Sequence, residues 1–209
     1  MDEQSVEFAS LLASRLCHDL LSPIGALNNG IELLADEHDP EMRARCMELL
    51  AESARTSATK LKFFRLAFGA AGGFEDEIDT REARTAIEGL VGTQGRVELN
   101  WMVEQPSMSK AKIKILLNLA LIAADALVRG GTLLVGAEDG EIVVRAEGER
   151  LILDPELKNA LLGKTSEDAL TPRAAAAWLV HVLTKQGGGE IQVSEPEDHV
   201  LLFGATFGG

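Results

Sequence analysis

The stretch Ser14-Arg15-Leu16-Cys17-His18-Asp19-Leu20-Leu21-Ser22-Pro23 lies inside an amphipathic pattern running from about Val6 to Ala35. At roughly 100° per residue, Leu16, Leu20, Ile24, Leu27, Ile31 and Leu34 fall within about 60° of one another. Spacings of three and four are those of a helix seam that packs on partner helices. His18 points about 180° away from the centre of that seam. The pattern predicts a long helix, buried on one side, that presents an imidazole on the other. Ser14, Arg15, Ser22, Gly25, Asn29, Glu32 and Asp36 share the histidine's face. Gly25 costs about 1 kcal/mol in a helix interior relative to Ala. Small residues there leave room for another protein's surface. Pro23 removes the N–H that the Asp19 carbonyl would accept, which loosens the helix locally.

Glu37-His38-Asp39-Pro40 ends this helix, with Asp39 suited to capping the next one and Pro40 to its first turn. A second helix is predicted from about Glu41 to Phe68, with Met42, Cys46, Leu49, Ala54, Leu61, Phe64 and Phe68 on its apolar side. Two long helices joined by a short turn make an antiparallel hairpin. One hairpin cannot cover two long apolar seams. Two copies can, as a four-helix bundle about a two-fold axis, so a homodimer is expected. With the turn near His38, His18 lies level with roughly residue 59. Arg55, Lys60 and Lys62 then come within reach of it, either as a solvated face or to attract an acidic partner or a phosphoryl group.

Gly69-Ala70-Ala71-Gly72-Gly73 marks a boundary, dividing the chain into residues 1–70 and 71–209. Beyond it, helices are predicted at Thr80–Val91 (capped at Asp79 or Thr80), Ser109–Val128, Pro155–Leu162 and Pro172–Gln186 (Pro172 first in the helix, Thr171 its cap). Strands are predicted at Val97–Val103, Leu133–Ala137, Glu141–Ala146, Glu190–Ser194 and Val200–Phe207, with a turn at Glu138-Asp139-Gly140. The fold class is α+β: a helical hairpin followed by an α/β sandwich.

The chain has 209 residues, 46% of them hydrophobic, 4% aromatic and none tyrosine, which suits a folded, helix-rich protein. A formal charge of −13 argues against a nucleic-acid partner. No run approaches the ~18 apolar residues of a membrane span, and Met1-Asp2-Glu3-Gln4 lacks a signal peptide's basic start. Cys17 and Cys46 are too few to staple the fold and have no metal-ligand spacing. A cytoplasmic protein is expected.

His18-Asp19-Leu20-Leu21-Ser22-Pro23 resembles the H-box of two-component histidine kinases: His, acid, Leu or Ile, any residue, small polar, Pro. The resemblance implies that His18 carries a phosphoryl group as a phosphoramidate. The order of elements after residue 71 resembles the same superfamily's ATP-binding domain, the Bergerat fold, with Lys114–Leu119 in its first helix and Trp178–Val193 its last helix and following strand. Laid onto that pattern, the nucleotide chemistry is missing. The Mg2+-binding Asn falls at Ile122, the following Lys at Asp125, and the adenine-reading Asp near Ala146. The glycine-rich segment is replaced by Ala174-Ala175-Ala176-Ala177. Ile122 cannot ligate a hard cation, Ala146 has no acceptor, and four helical alanines leave no loop to wrap phosphates. Gly163-Lys164-Thr165 has Lys158 where a P-loop needs its first glycine. Gly187-Gly188-Gly189 follows a helix, so both are expected to be turns. His181 reads as a core or interface residue and His199 as a loop residue.

An intact H-box beside a dead nucleotide domain, together with Asn28-Asn29-Gly30, resembles the ChpT-type phosphotransferases of alphaproteobacteria. That resemblance implies a dimeric cell-cycle relay between receiver domains of response regulators, including that of a hybrid kinase. His18 would be the carrier and Asp19 its support. The chain would bind no cofactor, with Mg2+ supplied by the receiver. Arg15, Ser22, Gly25, Asn29, Glu32, Arg55 and Lys60 are the expected receiver-facing residues. Two alternatives stay open: an ATP-dependent histidine kinase, and a non-catalytic kinase-like binding or inhibitor module.

Overall fold

The computed structural model describes residues 3–69, 76–92, 95–138 and 140–208. The expected boundary at 70–73 and the turn tip at Asp139 lie outside them. The first helix, α1 (Glu3–Asp36), runs unbroken through Pro23. The second, α2 (Pro40–Ala67), starts where Asp39 accepts hydrogen bonds from the Glu41 and Met42 N–H groups at 2.9 and 3.0 Å, with Pro40 behind the cap. These donors have no helical acceptor of their own, so one aspartate fixes the turn. Gly30 is where the two helices approach closely: a Cβ there would lie 2.8 Å from Leu50 Cδ2.

The expected single seam of α1 splits in two. Leu20 is 8% exposed, whereas Ile24 and Ile31 are 49% and 60% exposed. The reason is geometric, since α2 covers one flank of α1 and leaves the other open. Leu21, Ile24 and Ile31 on α1 and Met47 and Leu61 on α2 consequently stand exposed.

The remaining elements are β1 (Glu77–Asp79), α3 (Thr80–Gly92), β2 (Val97–Val103), β3 (Ser107–Ser109), α4 (Lys110–Ala126), β4 (Gly131–Glu138), β5 (Glu141–Glu147), α5 (Pro155–Leu161), α6 (Ala175–Gln186), β6 (Glu190–Val193) and β7 (Val200–Thr206). The sheet order is β2-β4-β5-β7-β6, with only β2 and β4 parallel. β1 and β3 form a separate antiparallel ribbon. These short strands carry too little period-two pattern to stand out in the sequence.

Leu133, Val135, Ile142, Val144, Ala146, Leu201, Phe203 and Ala205 alternate along their strands and are all fully buried on one sheet face. Helix α4 covers that face and is apolar nearly all round because it is enclosed between the sheet and the other helices. The core does not stop at the hairpin. Phe63, Phe64, Leu66 and Ala67 of α2 belong to it, and the Phe63 and Phe64 rings meet edge to face at 5.6 Å. Asn118, fully buried in α4, donates to the Ala67 carbonyl at 3.2 Å and so satisfies an acceptor that the end of α2 leaves open.

One predicted start is corrected. Helix α6 begins at Ala175, not Pro172, and residues 172–174 form a turn. Thr171 Oγ1 accepts from the Ala174 N–H at 3.4 Å and so closes that turn rather than capping the helix. Among the described residues no helix is long and apolar enough to cross a membrane.

Candidate functional site

His18 projects from the middle of α1 with 83% of its side chain exposed. Its neighbours are held much more tightly. The Asp19 side chain is 16% exposed and the Arg15 side chain 13%. One turn of helix brings them together: Arg15 Nε donates to Asp19 Oδ2 at 2.8 Å, an i, i+4 pair. The other carboxylate oxygen, Oδ1, lies 3.2 Å from His18 Nδ1. If Nδ1 carries the ring proton it donates to Asp19, which leaves the lone pair on the outward Nε2.

Pro23 leaves the Asp19 carbonyl without its helical donor, and Lys60 supplies one. Its Nζ donates to that oxygen at 3.0 Å from α2. The expected level of the two helices is therefore met. Lys60 itself, however, faces the site's backbone rather than standing free for a partner, and Arg15 is likewise turned inward. An orphaned carbonyl beside an ammonium is a stronger attraction than an exposed salt bridge, which explains the placement of Lys60, whereas Arg15 is drawn in by the Asp19 carboxylate.

Arg15 has a second carboxylate. Its Nη2 donates to Asp125 Oδ2 at 3.3 Å, and Nη1 reaches the Arg173 carbonyl at 3.5 Å. Loss of water around it pushes the Asp125 carboxyl above its ordinary value; Arg15 opposes this and Asp19 adds to it. With 43% of the side chain still accessible, solvent screens these charges. Sequence reasoning missed this contact. The available sign was that Asp125 is the only acid in Lys110–Ala126.

The face below His18 is open. Ser22, Asn29 and Glu32 are exposed, and a Cβ built at Gly25 would meet nothing within 4 Å. Asn28 Nδ2 donates to Glu32 Oε1 at 2.9 Å. Arg55 is exposed on α2. Lys62 lies higher, lining a cleft with Thr59, Arg65 and Arg81 between α2 and α3.

At the positions that the resemblance assigns to Mg·ATP, the side chains carry no ligand for it. Ile122 and Ala146 are buried at 3% and 0% and offer no oxygen, and Ala174 to Ala177 pack into the core. Among the described residues no group of three His, Cys, Asp or Glu side chains is placed to hold a metal ion. His181 stacks on Trp178 and its Nδ1 faces the Leu161 carbonyl at 3.1 Å, a packing role. His199 lies in a turn with φ of 65°.

Comparison with known proteins converges on one group. The family described as histidine phosphotransferase C-terminal domain matches residues 80–199. The protein phosphotransferase ChpT of Brucella abortus (strain 2308) is 31% identical over 202 residues, 95% of each chain. A solved bacterial phosphotransferase superposes with a TM-score of 0.85 at 31% identity, covering 98% of this chain and 97% of the other.

Proposed function

Because the chain belongs to the ChpT-type histidine phosphotransferases, we propose that it moves a phosphoryl group between response-regulator receiver aspartates through His18. The observation that carries this is an 83% exposed imidazole beside an aspartate whose side chain is 16% exposed, its carboxylate held by Arg15 and its main-chain carbonyl by Lys60.

The Nε2 lone pair attacks phosphorus in line, the bond between phosphorus and the receiver's carboxylate oxygen breaks, and that aspartate leaves as a carboxylate. Nδ1 keeps its proton, so the phosphorylated ring is cationic. Asp19 Oδ1 beside it offsets the charge that develops during attack. The return step to a second receiver is the reverse, and Mg2+ is expected from the receiver. This chain's contribution is positioning and charge, not ATP chemistry.

The receiver, including that of a hybrid kinase, docks along Ser22, Gly25, Asn29 and Glu32 with Arg55 at the side. Leu21, Ile24, Ile31, Met47 and Leu61 are the surface through which a second copy completes a four-helix bundle in the cytoplasm. Neither an ATP-dependent kinase nor a binding module without transfer needs this combination of an exposed histidine and a nucleotide domain lacking its oxygen ligands.

The test is incubation with a receiver carrying radiolabelled phosphoryl. Label is expected on the wild-type chain without ATP and absent from His18→Ala, which should remain a folded dimer. Label persisting on His18→Ala rules out His18 as carrier. Label taken only from ATP identifies a kinase.

A further inference from the structure

Asp125 belongs to α4, in the part of the chain whose nucleotide chemistry is gone, yet its side chain reaches back to the phosphotransfer helix. The contacts form one line: Asp125 Oδ2 accepts from Arg15 Nη2 at 3.3 Å, Arg15 Nε donates to Asp19 Oδ2 at 2.8 Å, and Asp19 Oδ1 meets His18 Nδ1 at 3.2 Å. We propose that Asp125 is a positioning residue for phosphotransfer, holding Arg15 so that Asp19 fixes the tautomer and orientation of His18. The proposal rests on His18 being the carrier, and it gives the degenerate domain a part in the reaction.

Three features separate this from an ordinary contact between elements. Arg15 is unbranched up to its guanidinium, so with only Asp19 and the long 3.5 Å contact to the Arg173 carbonyl to hold it the fork could turn about its last bonds. A second carboxylate fixes the plane, since a guanidinium is a rigid fork with donors on two sides. Helix α4 gains nothing from Asp125, because a carboxylate one residue from a helix C-terminus faces the negative end of the dipole. Finally, Asp19 and Asp125 are like charges drawn to one guanidinium. An arrangement serving cohesion alone would need one of them, whereas both are needed to hold Arg15 and leave Asp19 Oδ1 turned to the ring.

Lys60 on the Asp19 carbonyl steadies the same residue's backbone. Asp19 is thus held at its side chain by Arg15, itself braced by Asp125 of α4, and at its main chain by Lys60 of α2. His18, exposed on its helix, meets Asp19 Oδ1 with its Nδ1 at 3.2 Å.

The test uses the full chain with Asp125→Ala, Asp125→Asn and Arg15→Lys. The first readout needs no partner: ring 15N chemical shifts of His18, which report which nitrogen carries the proton. The second is transfer from a phosphorylated receiver over a range of receiver concentrations, which separates the saturating rate from half-saturation. Asp125→Ala is expected to mix the two tautomers and lower the saturating rate roughly tenfold, with half-saturation unchanged. Asp125→Asn keeps an acceptor for Arg15 and should restore most of the rate. Arg15→Lys, whose single ammonium cannot hold both carboxylates, should behave like Asp125→Ala.

Wild-type tautomer and saturating rate in folded Asp125→Ala overturn the proposal, as does a change confined to half-saturation, which would place Asp125 in the docking surface. If Asp125→Ala fails to fold, the same two results in Arg15→Lys decide. Transfer surviving in His18→Ala removes the underlying assignment instead, so the two failures are told apart.

Discussion

Lys60→Met should destabilise the protein through one carbonyl. In an unbroken helix the Asp19 oxygen would accept from residue 23, but Pro23 has no N–H, and Lys60 Nζ takes that place at 3.0 Å. A hydrogen bond to a charged group contributes about 1.5–3 kcal/mol. This one is only part-buried, so water can replace some of it and about 1.5 kcal/mol is expected. At about 2–4 °C per kcal/mol for a chain of this size, melting should fall by roughly 3–6 °C at fixed protein concentration. Pro23→Ala supplies the missing N–H, so in that background Lys60→Met should cost about 1 kcal/mol less. The assay is urea denaturation followed by circular dichroism on the four proteins of the cycle. The loss of the buried Pro23 ring appears in both Pro23→Ala proteins and cancels. Equal costs in the two backgrounds, within the ~0.3–0.5 kcal/mol of ordinary additivity, would refute the pairing of Pro23 with Lys60.

Gly25→Leu should raise helix propensity by a few tenths of a kcal/mol or more. It points into open space, so melting should hold or rise while transfer from a receiver slows; unchanged transfer would show that the partner docks elsewhere. Calorimetric titration with Mg·ATP at millimolar concentration should give no saturable heat, given Ile122 and Ala146 in the core, and a one-site isotherm would overturn that reading. For pH, the Asp125 carboxyl is raised, chiefly by desolvation, so the folded state holds its proton above the ordinary 3.8. Its contribution to stability is full below 3.8 and is lost as pH rises through the folded value. Arg15, Asp19 and Lys60 are the charges facing it. Asp125→Asn removes this loss, so the melting temperature of the variant relative to wild type should climb as pH is raised from about 4. A flat or falling difference contradicts the raised carboxyl.

Local chemistry was legible wherever one residue decides a backbone group. Asp39 caps α2 because free N–H groups need an acceptor, and Pro40 fits the first helical position because an N–H there would have no helical acceptor. The alternation of Val97–Val103 marks that strand to the residue. Thr171-Pro172 looks like a helix start and so puts α6 three residues early, while its turn is closed by Thr171 itself. The β1 and β3 ribbon is three residues on each side, shorter than any pattern test can resolve.

What the sequence determined by itself was the helix bearing His18, the phase that turns it outward, the hairpin and the order of the sandwich. Each of these depends on residues within a few turns or strands of one another, where periodicity and backbone donors and acceptors act directly. Only the tertiary structure decided that Lys60 answers the carbonyl left by Pro23, that Arg15 turns inward, and that Asp125 is its second carboxylate. Those contacts join residues 41 and 110 positions apart. Nothing in the local pattern of α1 or α4 distinguishes a charge that faces water from one that faces another helix. That choice is made when the elements pack, because an unsatisfied carbonyl or carboxylate at a packed surface takes whichever donor the fold brings within reach.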